Sequence, residues 1–318
     1  MPTARPASRP QSRPPAPRPQ PNGRRVPTKK QRRRGATRID RMLRPWWQSP
    51  GFLAGGGVGA IVVIVLVIVL VAHLLTPAPI SLGPVPASVL ASVTDPSPDV
   101  YSQVGTGGQP GDMIRINNTS TLDGSSGRPE VVFVGGEYCP YCAAERWSMV
   151  VALSRFGTFA NLQEMASTPD DVYPNTHSFT FAGSTYSSQY VDFVATEAWD
   201  RNDNPFQPMS SQVSQIYQTY DQPPYAASSG VPFLDIGNRF TIYQVQYSPA
   251  ILQGLTWQQI AGDLSDPSNP VTQAIVGNAN YLTAAICITT GGQPSGVCST
   301  SVIQGIEKTL EAEQAVGS

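Results

Sequence analysis

"VVFVGGEYCPYCAAERW", residues 131–147, joins an apolar run to two cysteines three positions apart. Val131–Val134 has the continuous apolar character of a strand buried on both faces. Gly135 and Gly136 let the chain turn sharply and keep bulk away from the first cysteine. Cys-Pro-Tyr-Cys then opens a helical pattern in which Trp147, Val150, Val151 and Phe156 share a face. Cys139 therefore falls at a helix N-terminus. Pro140 fits the first turn, where its missing N–H costs nothing. Unpaired amides and the helix dipole at that position stabilise a thiolate, lowering the thiol pKa below its free value of ~8.5. Cys142 lies one turn on, on the same face, and can attack a mixed disulfide formed on Cys139.

These residue types allow three readings: a redox pair, a permanent disulfide, or two metal ligands. A zinc site needs four ligands. The chain's other cysteines, Cys287 and Cys298, have C-x10-C spacing with no histidine nearby, which fits a metal poorly. No metal and no cofactor is expected. Cys287 and Cys298 flank the turn-rich "ITTGGQPSGV". A bridge between them closes a loop worth ~3 kcal/mol in loop-closure entropy. The pair reads either as this staple or as a relay passing electrons to the first pair. His73 and His177 are the only histidines, so a hydrolase dyad or triad would have only His177 to use.

Charge divides the chain. Residues 1–50 hold 14 Lys and Arg and one acid, whereas residues 76–318 hold 7 basic and 21 acidic residues. Between them Phe52–Leu75 carries no Asp, Glu, Lys or Arg. As a helix it would reach ~36 Å, enough to cross a ~30 Å hydrocarbon core. A signal-anchor is expected at 52–75. The basic residues before it place the N-terminus in the cytoplasm and all four cysteines outside, where disulfides persist. The tail, residues 1–51, is too rich in Pro and Arg to fold and is expected to be disordered, near membrane lipid. Nucleic acid is not expected, since the aromatics of a stacking platform are missing. Gly55 and Gly59 offer a GxxxG face for a homodimer, beside the simpler reading as ordinary span glycines.

Residues 76–110 read as a Pro-rich stalk with one short helix near 86–93. Residues 111–318 read as one extracytoplasmic domain. In it, "GDMIRINN", "EVVFVGG" and "FANLQEMAST" are expected as strands. "SFTFAGSTYSSQYVDFVATEAW" is expected as a strand pair, and "VPFLDIGNRFTIYQV" as a hairpin. Helices are expected at "SSQVSQIYQTY", "TWQQIAGDL", "PVTQAIVGNANYLTAAICI" and "STSVIQGIEKTLEAEQ". Strand–helix–strand, then a hairpin and helices, is the order of an α/β layer fold.

The strand–CxxC–helix unit resembles the thioredoxin superfamily, and "SGVPFLDIG" resembles the loop in which a cis-proline precedes a strand. The resemblance implies a thioredoxin-like central sheet flanked by helices, with an insertion around 167–226 before that loop. It implies a cis Val231–Pro232 bond packed opposite Cys139 and Cys142. Tyr138, Pro140, Tyr141 and the Val231 backbone would then border a substrate. Independently, a proline opening an apolar strand-like run points to a special turn. The chain departs from the thioredoxin pattern at Tyr138, where a Trp is usual, and at Phe133, where a buried Asp is usual. Proton transfer from Cys142 then falls to Glu137, Glu145 or water. The single span, the CPYCA motif and the late cysteine pair are also similar to an uncharacterised family of membrane-tethered thioredoxin-like proteins (domain of unknown function 929).

The function expected is thiol–disulfide exchange on cysteine pairs of exported proteins. Cys139 would be the nucleophile, Cys142 the resolving thiol and Pro232 the substrate-loop proline, with a redox partner left open. The competing expectation is a non-catalytic binding module whose CxxC is a structural disulfide.

Overall fold

The computed structural model describes residues 50–75, 82–117 and 120–316. The expected disordered tail, residues 1–51, lies outside the described residues except for Pro50 and Gly51, which begin a helix. Residues Met1–Ala78 and Pro79–Ser318 form separate units. In the first, helix α1 (Pro50–Leu75) runs for 26 residues, and Ile61–Val71 are all exposed.

In the second unit the chain forms α2 (Ala87–Thr94), α3 (Pro98–Val104), β1 (Ile114–Arg115), β2 (Glu130–Gly136) and α4 (Pro140–Leu153). Four short strands come next: β3 (Gly157–Ala160), β4 (Gln163–Ala166), β5 (His177–Thr180) and β6 (Thr185–Ser188). Then come β7 (Asp192–Trp199), α5 (Ser211–Tyr220), β8 (Phe233–Ile236), β9 (Phe240–Ile242), α6 (Trp257–Asp263), α7 (Pro270–Thr289), α8 (Ser295–Cys298) and α9 (Ser301–Ala312). The central sheet is mixed, in the order β1-β9-β8-β2-β7. Strand β2 runs parallel to β7 and antiparallel to β8, pairing Val134 with Phe233.

Alternation along β2 divides the core in two. Val131 and Phe133 face the larger cluster, with Leu234, Ile236, Trp147 of α4 and Ile275 of α7. Val132 and Val134 face the smaller one, with Phe233 and with Val213 and Ile216 of α5. All seven residues of β2 are buried, which is why its sequence shows no polar alternation. Helix α7 has the length and hydropathy of a membrane span, but 89% of its most apolar window is buried, so it is a core helix.

The structure corrects four expectations. Within the expected stalk, residues 82–110 are not simply a linker: the expected short helix forms as α2 but packs on α4 and α6, and α3 packs on α7. Val89, Val93, Val100 and Val104 are buried there, so both helices belong to the core. "FANLQEMAST" is not one strand. Asn161 takes a φ of 59°, and the halves pair with different partners, β3 with β6 and β4 with β5. The expected insertion at 167–226 is not one added block, because β7, within that range, pairs with β2, while β3 to β6 at 157–188 pair outside the central sheet. "GDMIRINN" contributes only two strand residues, Ile114 and Arg115.

The β8–β9 hairpin forms where it was expected. Its turn needs positive φ at Gly237 (60°) and Asn238 (55°). A side chain on Gly237 would also meet Thr289 Cγ2 at 2.3 Å.

Candidate functional site

The C-terminal end of β2 delivers Cys139 to the N-cap of α4, with extended backbone (φ −81°, ψ 121°) and Pro140 in the first turn. The Cys142 amide N–H donates to Cys139 Sγ at 3.4 Å. Both thiols are free. Cys139 keeps 6% of its surface exposed and Cys142 none. Cys139 Sγ lies 3.7 Å from the Val231 carbonyl oxygen, and the Val231–Pro232 peptide is cis. The structure thus brings Cys139, Cys142, Pro140 and Val231 together, with Pro232 next in sequence.

The two sulfurs differ sharply. A hydrogen bond from the Cys142 side chain lowers the Cys139 pKa, and burial opposes it; the amides of Cys142 and Tyr141 and the Arg146 charge lower it further. Burial pushes Cys142 well up, and the hydrogen bond and charge of Cys139 add to this. Cys139 is the sulfur that ionises first. Chemically, a thiolate at a helix N-terminus with a protonated thiol one turn behind it can open a disulfide and then resolve the mixed product.

Aromatic residues border the pair. Tyr138 meets Trp199 edge-on at 6.5 Å, and Tyr141, 40% exposed, meets Tyr173 at 5.9 Å. The loop between β4 and β5 reaches this rim, where the Thr168 N–H donates to the Tyr138 carbonyl at 3.0 Å.

The two candidate proton carriers are engaged elsewhere. Glu137 accepts from the Thr180 hydroxyl at 2.6 Å, and burial raises its pKa. Glu145 is wholly buried between α4 and α7, where Asn278 donates to it at 2.9 Å. Burial pushes it up to about 8, with the Asn278 bond opposing.

Two features were missed in the sequence. The first is Arg146, wholly buried, which pairs bidentately with buried Glu197 of β7, Nε to Oε1 at 2.9 Å and Nη2 to Oε2 at 2.5 Å. Its Nη2 also donates to the Gly136 carbonyl at 3.1 Å. The Cys142–Arg146 spacing of four was visible, but Glu197 lies 51 residues away. The second is a clamp on the loop before Pro232. The Asp221 carboxylate accepts from the Ser229 hydroxyl (2.6 Å) and the Gly230 N–H (2.7 Å), while the Tyr217 hydroxyl donates to the Gly230 carbonyl (3.0 Å).

Cys287 and Cys298 are bonded, with Sγ atoms 1.97 Å apart. Thr289, two residues on, stands where a side chain on Gly237 would fall, and the Gly237 N–H donates to the Glu130 carbonyl at the start of β2. That end of the sheet is one strand length, ~20 Å, from the CxxC. His177 is occupied structurally, its Nδ1 2.6 Å from the Leu255 carbonyl and its ring stacked on Trp257. Among the described residues no group of three or more His, Cys, Asp or Glu is placed to hold a metal ion.

No curated protein and no solved structure matches the chain. One family model, described as a domain of unknown function (DUF929), matches residues 113–288. That range holds the CxxC, the central sheet and most of α7, and covers more than half of the chain, so the protein belongs to the DUF929 family.

Proposed function

We propose that the protein is a membrane-anchored, thioredoxin-like thiol–disulfide oxidoreductase whose domain lies outside the cytoplasm and acts on cysteine pairs of exported proteins. The observation that carries this reading is the asymmetry of the two sulfurs. Cys139 caps α4, accepts the Cys142 amide and retains some exposure, while Cys142 is buried behind it. The sheet order supports the thioredoxin-like assignment. A parallel pair crossing through α4, then an antiparallel hairpin entered through Pro232, with α4 and α7 on one face and α5 on the other, is that fold's pattern. The apolar helix α1 behind a basic tail supports anchoring with the N-terminus inside.

In the exchange, the Cys139 thiolate attacks one sulfur of a substrate disulfide. A Cys139–substrate S–S bond forms, the substrate bond breaks, and the departing thiolate takes up a proton. Cys142 then loses its proton and attacks Cys139 Sγ, which releases the substrate's second thiol. The substrate leaves as a dithiol and the enzyme as a disulfide; the reverse sequence oxidises a substrate dithiol. Val231, Tyr138, Tyr141 and Pro140 border the exposed edge of Cys139, where an extended substrate segment would lie.

The test is covalent trapping. Cys142→Ser removes the resolving thiol and should accumulate reducible adducts of exported proteins on Cys139 in membrane fractions run on non-reducing gels. Cys139→Ser should trap almost none. Absence of adducts on Cys142→Ser under both oxidising and reducing growth would remove the catalytic reading and favour a scaffold with a structural CxxC.

A further inference from the structure

We infer that the buried Arg146 guanidinium, held by Glu197, is a positioning residue that biases the Cys139–Cys142 pair towards its dithiol form, so that the protein's chemistry is to oxidise substrate dithiols. The inference rests on the exchange reading above and adds a direction to it.

The geometry is that of a buried charge one helical turn beyond Cys142. Cys142 and Arg146 stand one turn apart on one face of α4, and both are wholly buried. Arg146 Nη2 bonds the carbonyl of Gly136, three residues before Cys139. Gly135 leaves the room: a side chain there would meet Arg146 Nη2 at 3.1 Å and Phe133 Cζ at 2.4 Å. The Phe133 ring packs under the guanidinium, its centroid 5.4 Å away. Nη1 is buried with no hydrogen-bond partner. The guanidinium thus keeps one unused donor, and its positive charge lies one helical turn from Cys142.

Glu197 fixes the position of the cation without reaching the sulfurs. Its oxygens are taken by Arg146 and by the Phe181 N–H. The Arg146 charge lowers the pKa of both cysteines. A disulfide carries no charge and gains nothing from Arg146, whereas a thiolate does. Stabilising only the reduced state makes the disulfide state the stronger oxidant. In the favoured direction a substrate thiolate attacks the Cys139–Cys142 bond and forms a mixed disulfide on Cys139. The substrate's second thiolate then attacks its own bridged sulfur. The substrate loses two electrons and two protons, the enzyme gains both as two thiols, and exchange with an external disulfide, itself reduced to a dithiol, restores the Cys139–Cys142 bond.

The experiment uses the full-length chain in detergent, equilibrated with reduced and oxidised glutathione, with thiol state read by alkylation and mass. Two variants have opposite expected signs. Arg146→Met with Glu197→Gln removes both charges and keeps an acceptor for the Phe181 N–H. Its equilibrium should move about tenfold towards the disulfide, about 30 mV more reducing, and the pH profile of Cys139 alkylation should move up. Glu197→Gln alone leaves Arg146 uncompensated, and both readouts should move the other way. A merely structural pair would not give opposite signs. Two folded variants with wild-type equilibrium and profile, or shifts of the same sign, overturn the inference. Should the double variant not fold, Glu197→Gln alone decides it by the sign of its shift. Wild-type protein that does not exchange with glutathione removes the exchange reading and this inference with it. Exchange in the wild type with unshifted variants removes the inference alone.

Discussion

The two cysteine pairs use the same atoms in opposite surroundings. Cys139 and Cys142 sit in the first turn of α4, where chain direction and a nearby guanidinium favour a thiolate. Cys287 ends a helix buried along its length, and Cys298 lies on the short helix beyond the "TTGGQPSG" turn, the two sulfurs already bonded. The first pair is held three residues apart by helix geometry; the second closes a loop that the helices alone would leave open. On the proposed reading, reactivity follows from the N-cap, residual exposure and buried charge, while stapling follows from loop closure.

That contrast can be broken by substitution. The largest effect expected is on exchange: Cys139→Ser should lower disulfide-exchange rates by about 100-fold or more, since the thiolate is the nucleophile. Its far-ultraviolet spectrum should be unchanged. Replacing Cys287 and Cys298 together with Ser should do the reverse, costing ~2–5 kcal/mol of stability and leaving exchange largely intact. Chemical denaturation beside an exchange assay separates the two. Loss of turnover at unchanged stability would revive the relay, against the ~20 Å separation expected from the length of β2.

Gly135→Ala should cost ~1–3 kcal/mol, because its Cβ would fall on Phe133 and close to Arg146. Thermal melts of reduced protein would register the loss, and retention of full stability would show that β2 has slack beneath the thiols.

A pH-dependent effect concerns Glu145, protonated when folded until its pKa of about 8. A raised carboxyl pKa contributes stability that is complete below the unfolded value of 4.5 and is lost as pH rises through the folded one. Wild-type stability should therefore fall between about pH 5 and about pH 8, by at most about 1.4 kcal/mol per pH unit from this group. Glu145→Gln, which can still accept from Asn278, should flatten that slope. An unchanged slope would place the titration elsewhere.

Much of this was legible because it is local. A strand, two glycines, a CxxC and a helix are adjacent in sequence, and their chemistry follows from the N-cap position of Cys139. The β8–β9 hairpin was equally readable from "IGNR", whose Gly237 and Asn238 take the positive φ that the turn requires. What escaped is non-local. Arg146 looked like one more helix residue until β7 brought Glu197 against it. Asp221 and Ser229 read as loop residues until α5 turned them onto Gly230. The short helix at 87–94 was legible, but its packing and the second helix at 98–104 were not, because their partners, α4, α6 and α7, come later in the chain.

The most direct test of the account is site-resolved alkylation of the reduced, full-length protein across pH, with each labelled cysteine identified by mass. The account predicts that label enters Cys139 first, with a half-maximal rate at a pH clearly below the ~8.5 of an ordinary thiol, and that Cys142 stays unlabelled until the fold opens. Labelling of Cys142 ahead of Cys139, or a Cys139 profile that matches an ordinary thiol, would contradict it.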